Sequence, residues 1–237
     1  MGLVLLWGPE VTEFRALAAR ANYLAPDRLD IQFAAKEICR DMAKPRVASM
    51  AKLKRLARYL LRFRRGTIHF RAQPEADDTR VEVYSDSDWA GCRRTRKSTS
   101  GGVLMVGGGV LKTWSGTQAT VALSSGEAEY NAVTRASAEG LGMVALMGDL
   151  GWPSQLRVWI DSSAAKSIAS RMGLGKVRHL EVKFLWLQEA VRRKRLELRK
   201  VRGDCNPADW LTKPQSFGGK RSALAAYGLQ LNKEGEE

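Results

Sequence analysis

Two hydrophobic patterns follow one another along the chain. Up to about residue 63, apolar side chains recur every three to four positions, which is typical of helices that bury one face. This pattern predicts one helix capped by Thr12, one capped by Asp30, and one running from Pro45 to about Phe63. A short strand is predicted at Thr67–Arg71. The chain therefore opens with a small helical region.

From residue 81 the apolar residues alternate with polar ones, which is typical of strands. The first strand is predicted at Val81–Asp86. Two more, Ser100–Val106 and Val110–Ser115, are joined across Gly107–Gly109, where glycine permits a tight hairpin. The later elements are predicted as a long helix from near Ser124, a strand Leu156–Ile160, a helix opened by Asp161, a helix over about Glu181–Arg193, a strand Leu196–Val201 and a short helix Pro207–Leu211. Antiparallel strands followed by alternating helices and strands predict an α/β fold, with a mixed sheet and helices on its faces.

The acidic loop Gln73–Asp78 separates the two patterns and is the predicted domain boundary. The chain is then divided into a helical region (1–75), an α/β domain (79–214) and a C-terminal tail (215–237). A chain of 237 residues is long enough for one such domain with a true core, plus an appendage.

The charge balance indicates the kind of partner. Lys and Arg number 39 against 25 Asp and Glu, and the net charge of +14 favours a polyanion, most simply nucleic acid. Apolar runs stay well short of the roughly 20 residues that a membrane span requires, so no membrane partner is expected. Cys39, Cys92 and Cys205 are far apart, which predicts no disulfide framework and a reducing compartment, the cytoplasm or the nucleus. With only two histidines, carboxylates are expected to carry any catalysis.

Basic side chains concentrate on one face of the third predicted helix. This face is formed by Lys52, Lys54, Arg55, Arg58, Arg62 and Arg65. It is either a solvated surface or a contact with a nucleic-acid backbone. A second basic run, Arg192–Arg195, is interpreted as a solvated helix end. The alternative is a nuclear localisation signal.

Four carboxylates stand at comparable places at the ends of predicted elements. Asp86 ends the first sheet strand, Glu129 lies near the start of the long helix, Asp161 ends the next strand, and Asp209 lies in the first turn of the last helix. Each aspartate also has an ordinary explanation, because Asp86 and Asp88 suit a turn, Asp161 suits an N-cap, and Asp209 suits the helix dipole. In a mixed sheet such ends can converge on one edge, where four oxygens on rigid elements would bind a hard cation such as Mg²⁺.

The long helix contains two neighbouring glutamates with different predicted roles. Glu127 and Glu129 lie about 200° apart around a helix, so they cannot serve one site. Ser124 and Glu127 match a capping box, which makes Glu127 structural. Glu129 instead heads the buried line through Val133 and Ala136, where an ionised carboxylate needs a cation or another partner. Glu129 is therefore the predicted functional residue.

Several motifs carry a family resemblance. They are Tyr84–Gly91, Lys97–Gly102, Ser124–Tyr130, Arg178–Glu181 and Ala208–Pro214, together with Arg58–Leu60 in the helical region. In order and spacing they resemble the C-terminal part of copia-type retrotransposon Pol polyproteins, where the end of the reverse transcriptase precedes a ribonuclease H domain. The resemblance covers roughly residues 11–231. It implies a ribonuclease H-like α/β fold, a five-stranded mixed sheet whose first three strands are antiparallel, with flanking helices, preceded by a small helical region like the segment after the polymerase palm.

The resemblance also implies a function, the hydrolysis of the RNA strand of RNA–DNA hybrids. Asp86, Glu129, Asp161 and Asp209 fall on the family's four metal-binding, catalytic carboxylates, which hold two Mg²⁺ ions, with Mn²⁺ as an alternative. The implied partners are the hybrid, its nucleic-acid backbone and the remainder of a reverse transcriptase. The phosphate contacts are assigned to Arg93, Arg94, Arg96, Lys97 and Lys112.

The sequence departs from the family pattern in two respects. Many cellular relatives carry a histidine in the loop before the fourth acid, but here the loop reads Arg202–Cys205, so slow turnover is expected and Asp204 competes weakly with Asp209. The chain also lacks a palm with paired polymerase aspartates, and is expected to be the end of a polyprotein or a remnant of a decayed element. His179 is assigned to packing or a phosphate contact, and Trp114 to the core or to a sugar.

Two other functions compete with hydrolysis. One is a catalytically inactive ribonuclease H-like module that only binds nucleic acid. The other is a different enzyme on the same scaffold, such as a DNA-strand transferase. The presence of all four acids disfavours the first, and the specificity of the motifs disfavours the second.

Overall fold

The computed structural model describes residues 4–70, 80–171, 182–214 and 227–232. These divide into two compact units, Met1–His69 with Pro214–Glu237, and Phe70–Lys213. The predicted boundary at Gln73–Asp78 and the motif Arg178–Glu181, with His179, lie outside the described residues.

The elements are numbered in chain order. They are α1 (Gly8–Leu24), a 3₁₀ helix (Leu29–Ile31), α2 (Gln32–Cys39), α3 (Val47–Arg62), β1 (Arg65–Ile68), β2 (Val81–Ser87), β3 (Thr99–Val106), β4 (Gly109–Thr117), α4 (Ser125–Asp149), β5 (Leu156–Ile160), α5 (Ser163–Ser170), α6 (Val182–Arg192), β6 (Glu197–Lys200), two 3₁₀ helices (Gly203–Cys205 and Pro207–Leu211) and β7 (Leu229–Asn232).

The first unit holds the three predicted helices, but two predicted caps are wrong. Thr12 lies inside α1, which begins four residues earlier because Pro9 favours the first turn of a helix. Asp30 caps nothing, since its carboxylate accepts two hydrogen bonds from the Arg28 guanidinium, at 2.9 and 2.8 Å. Strand β1 pairs antiparallel with β7, which belongs to the stretch predicted as a tail.

The basic face of α3 is exposed along its length. One of its members, Lys52, forms an ion pair with Asp41 at 3.0 Å. The buried side of the helix contributes Leu53 and Leu56 to the core. The choice between a solvated face and a nucleic-acid contact stays a prediction.

The second unit is built on one five-stranded sheet in the order β4-β3-β2-β5-β6. Strands β2, β3 and β4 are antiparallel neighbours, while β5 is parallel to both β2 and β6. Because β2 is central and β5 is its parallel neighbour, the carboxyl ends of β2 and β5 lie at the same edge. This topology confirms the expected α/β fold class, a ribonuclease H-like mixed sheet with flanking helices.

Helix α4 packs across the sheet and fixes the position of its own first turn. Val133 and Ala136 are completely buried in the core. Gly140 permits the closest approach, since a Cβ there would lie 2.5 Å from Leu156 Cδ1 and 3.0 Å from Val83 Cγ2. This close packing brings the start of α4 to the edge where β2 and β5 end. None of the helices within the described ranges combines the length and apolar character needed to cross a bilayer.

Candidate metal centre

Asp86 is held near the end of the central strand β2, where it is 5% exposed. It stands opposite Gly101 of β3. Its Oδ2 lies 2.8 Å from the Thr212 hydroxyl, which also lies 2.9 Å from the Asp209 carbonyl oxygen. The hydroxyl has one proton to donate, so it can satisfy one of these two acceptors at a time. Asp86 therefore keeps acceptor capacity facing the sheet edge.

The two glutamates of α4 lie in different surroundings, as the helix geometry predicts. The Glu127 carboxylate accepts a hydrogen bond from the Leu123 amide at 2.9 Å, and its own amide donates to Ser124 Oγ at 3.2 Å, as in a helix cap. Glu129 is 7% exposed and points to the site instead. Its Oε2 is buried and has no hydrogen-bond partner. A buried carboxylate oxygen without a partner is costly, so this atom marks a place for a ligand.

Asp161 follows the last residue of β5 and is half-buried. The N-cap of α5 is Ser162, whose hydroxyl accepts from the Ala165 amide at 3.1 Å, so the explanation of Asp161 as the cap is wrong. One carboxylate oxygen from each of Asp86, Glu129 and Asp161 lies within 4.8 Å of the others. The structure thus brings three of the four predicted acids together from three different elements.

These acids raise one another's pKa. Burial, with the negative charges of Asp161 and Asp209 added, raises the pKa of Asp86 to about 6. Burial, followed by the charges of Asp86 and Asp161, raises the pKa of Glu129 to about 9. Burial likewise raises the pKa of Asp161. The cluster therefore resists ionisation unless a cation compensates its charge.

Asp209, the fourth predicted acid, stands beside the cluster. It lies in the 3₁₀ helix Pro207–Leu211, and its Oδ1 accepts from Lys213 Nζ at 2.6 Å. Its charge still contributes to raising the pKa of Asp86, Glu129 and Asp161. Asp209 is therefore near enough to act on the three acids but is neutralised by its own lysine.

Asn206, which was not predicted from the sequence as a site residue, holds this 3₁₀ helix in place. Asn206 is 2% exposed; its amide donates to the Ser85 carbonyl at 2.9 Å, and its Oδ1 accepts from the Ala208 amide at 3.1 Å. It also forms a hydrogen bond with Asp161 that opposes the rise in that residue's pKa. Asn directly before Pro207 is an N-cap signal in the sequence, but its reach to β2 is not. Asn206 thus connects the strand that carries Asp86 to the helix that carries Asp209.

Gly101 sets how closely that helix approaches the sheet. A Cβ there would lie 2.6 Å from the Ala208 carbonyl oxygen and 2.9 Å from both Leu211 Cβ and Thr212 Cγ2. We expect Gly101→Ala to push Thr212 and Asp209 away from Asp86, lowering the free energy of unfolding by about 1–3 kcal/mol in urea titrations. Gly142→Ala is the matched control, because nothing lies within 4 Å of its Cβ and alanine should stabilise α4 by roughly 0.5–1 kcal/mol. Equal effects of the two variants would contradict this account.

Two acids that are close to the site residues in the sequence, Asp88 and Asp204, make other contacts. The Asp88 carboxylate accepts from the Thr99 amide, as a turn residue does. The Asp204 carboxylate pairs with Arg202 at 2.5 Å in an exposed position. Neither belongs to the cluster of three.

The residues predicted to contact phosphates differ in their exposure and in their ion pairs. Arg93, Arg94 and Arg96 are exposed and Lys97 is half-buried in the turn between β2 and β3. Lys112 on β4 is paired with Glu139 at 2.6 Å. Trp114 is a core residue, since it is 4% exposed and packs against Gly102.

The donor set of the site fits a hard divalent cation. It consists of carboxylate oxygens alone, and within the described residues this cluster has no histidine or cysteine ligand. Oxygen-only sites suit Mg²⁺, Mn²⁺ and Ca²⁺, whereas zinc sites in proteins generally include histidine nitrogen or cysteine sulfur ligands. Glu129 Oε2 provides a ligand atom that is not already engaged in a hydrogen bond.

Comparisons with known proteins found similar sequences and similar solved structures. No family model matches the chain. It is 36% identical over 132 residues to an uncharacterized mitochondrial protein of Arabidopsis thaliana, covering 55% of this chain and 53% of that protein. It is 28% identical over 208 residues to the retrovirus-related Pol polyprotein from transposon RE1 of Arabidopsis thaliana, covering 86% of this chain and 14% of the polyprotein. A solved RNase H1 isolated from compost by a metagenomic approach is 21% identical, with a TM-score of 0.40 over 56% of this chain and 93% of that structure.

The chain spans about half the length of the mitochondrial relative and a small part of the polyprotein. The polyprotein alignment covers more of the chain than either unit contains, so it includes residues of both. The expected resemblance to copia-type polyproteins is thereby confirmed. The chain is similar in sequence to the retrovirus-related Pol polyproteins of transposons, and this similarity fits a copia-type Pol polyprotein fragment.

Proposed function

We propose that the second unit is a Mg²⁺-dependent ribonuclease H that hydrolyses the RNA strand of RNA–DNA hybrids, within a retrotransposon polyprotein or as a remnant of one. The observation that carries the proposal is the convergence of Asp86, Glu129 and Asp161 within 4.8 Å, with Glu129 Oε2 buried and unpartnered. A protein that only needed stability would not gather three repelling carboxylates. The ribonuclease H-like sheet and the Pol polyprotein homology support the same proposal.

Each acid has a part in the proposed mechanism. Asp86, Glu129 and Asp161 would hold the cations, with Asp209 joining them as the fourth ligand. When bound there, divalent cations lower the pKa of an attacking water and stabilise the leaving oxygen. Asp161 is less buried than Asp86 and Glu129 and would orient the attacking water. Glu129 would lie towards the 2′-hydroxyl, the group that distinguishes RNA from DNA.

The decisive experiment is a cleavage assay with labelled nucleic acids. We expect the full chain to cut the RNA of an RNA–DNA hybrid with Mg²⁺ and not with EDTA, leaving a DNA duplex intact. Binding of the hybrid without any cleavage would instead favour the inactive binding module. Cutting of the DNA duplex but not of the hybrid would favour a different enzyme on the same scaffold.

The turn between β2 and β3 is the proposed contact with the hybrid's backbone, because its arginines are exposed and follow the strand that carries Asp86. Replacing Arg93, Arg94 and Arg96 together by Gln should weaken hybrid binding by about tenfold. It should reduce the slope of log affinity against log salt by roughly 2–3, since each phosphate contact contributes about 0.9. Fluorescence anisotropy at several salt concentrations measures both quantities.

The exposed basic face of α3 provides a charge-matched comparison. Replacing Lys54, Arg55 and Arg58 by Gln removes the same number of charges from the first unit. If this face is only solvated, the salt slope should stay as in the unmodified protein. A smaller slope in this variant and an unchanged one in the turn variant would contradict the assignment of the phosphate contacts to the turn.

A further inference from the structure

Lys213 is an ammonium group placed against the acidic site. Its Nζ lies 2.6 Å from Asp209 Oδ1, four residues back in the chain. The hydrogen bond with Asp209 raises the pKa of Lys213, and the charges of Asp86 and Asp161 add to this. The lysine therefore interacts with acids on β2 and after β5 as well as with its own local partner.

The four acids consequently fall into two electrostatic groups. Asp86, Glu129 and Asp161 share one small space in which the described residues supply no ammonium or guanidinium partner within ion-pair distance. One carboxylate oxygen of Asp209 is already paired with the Lys213 ammonium group. The first group offers a site ready for a divalent ion, whereas an ion that uses Asp209 must compete with Lys213.

The competition is weak enough to be won by a divalent ion. The side chain of Lys213 is 53% exposed and that of Asp209 32%, so water screens their attraction. Ion pairs of this exposure are readily broken. Lysine is also a flexible point charge that can swing away without disturbing the backbone.

We propose that Lys213 is an internal counter-cation for Asp209, and that a second divalent ion binds at this acid only by displacing it. The proposal rests on the proposed function, since it assumes that the carboxylates bind divalent ions. It makes Lys213 a positioning residue that acts through Asp209. Ion binding is then ordered: the cluster of three fills first, and the site at Asp209 fills with lower affinity.

The experiment is a titration of the full chain with Mn²⁺. Binding is measured by calorimetry and by electron paramagnetic resonance of the free ion. The unmodified protein should show one tighter and one weaker site. In Lys213→Met the weaker site should tighten about fivefold, in line with the loss of a partly exposed ion pair. Lys213→Arg keeps the charge and should behave like the unmodified protein. Lys52→Met, which removes a lysine from a comparable pair with Asp41 in the first unit, should change neither site.

The outcomes separate the two proposals. Two unchanged sites in Lys213→Met, or equal tightening in Lys213→Arg, would overturn the role of Lys213 and leave the nuclease proposal intact. No binding of Mn²⁺ by the unmodified protein would overturn both. Circular dichroism of each variant shows whether the fold is kept, and the arginine variant tests the charge even if the methionine variant does not fold.

Discussion

Asp86→Asn should abolish Mg²⁺-dependent cleavage of RNA–DNA hybrids, with a fall in rate of at least about a thousandfold. Metal ions supply several kcal/mol of transition-state stabilisation, and roughly 4 kcal/mol corresponds to that factor. Asparagine keeps an oxygen that can accept from Thr212, at 2.8 Å in the native site. It removes the charge that Glu129 and Asp161 repel, so the variant should fold and bind the hybrid normally. Single-turnover cleavage and anisotropy measured on the same preparation test both halves.

The control for this variant is Asp204→Asn. Asp204 is the acid that competes with Asp209 in the sequence, but it is exposed and paired with Arg202. We expect its replacement to leave cleavage within about twofold of the unmodified rate. Retained cleavage in Asp86→Asn would refute the assignment of the site, and a large loss in Asp204→Asn would mean that Asp204 belongs to it.

Periodicity alone predicted the strands of the sheet and the elements that carry its acids. The predicted strand Leu156–Ile160 and the predicted short helix Pro207–Leu211 match the observed bounds. Alternation is reliable in β2 because its two faces have different environments, which pins the side chains to one register. The separation of Glu129 from Glu127 also followed from helix geometry, since the packing face of α4 continues from Glu129 through Val133 and Ala136 to Gly140. Local rules worked well for strands that alternate buried and partly exposed side chains, as β2 and β5 do.

Contacts between distant parts of the chain could not be predicted from the sequence. Nothing local to Asn206 indicates that its amide reaches the carbonyl of Ser85, a contact across 121 positions. Nor does any pattern near Arg65 indicate that β1 pairs with β7. The cap predicted at Asp30 failed for a local reason instead, because the guanidinium of Arg28, two residues earlier, donates two hydrogen bonds to that carboxylate. A side chain with several possible partners chooses by tertiary packing, which propensity does not encode.

Glu129→Gln should make the metal-free protein more stable, most strongly at alkaline pH. Burial, followed by the charges of Asp86 and Asp161, raises the pKa of Glu129 to about 9, against about 4.3 in an unfolded chain. The folded state therefore holds this proton more tightly than the unfolded state. The resulting stability is complete below about pH 4 and is lost as the pH rises towards 9, at up to roughly 1.4 kcal/mol per pH unit. Asp86, with its pKa raised to about 6, acts in the same direction over a lower and narrower range.

Urea unfolding in EDTA at pH 5, 6.5 and 8 measures this effect. The unmodified protein should lose stability across the series, while Glu129→Gln should lose less and exceed it by about 2–4 kcal/mol at pH 8. Glu127→Gln is the matched control on the same helix. It should destabilise slightly instead, because the glutamine oxygen can still accept from the Leu123 amide but lacks the negative charge that favours the N-terminus of α4. An unmodified protein that became more stable between pH 5 and 8 would show that the Glu129 carboxyl is not buried among acids.

Mg²⁺ should reverse the ranking, because the ion and the proton compete for the same carboxylate. At pH 8 the added ion should stabilise the unmodified protein by an amount that grows with its concentration. At pH 5, where protons occupy the site, the gain should be small. Glu129→Gln keeps a neutral oxygen but no charge, so Mg²⁺ should stabilise it little at either pH. The carboxylate of Glu129 then destabilises the metal-free fold and is also a main ligand of the cation. Such a loss of stability in exchange for ion binding is expected of a functional site.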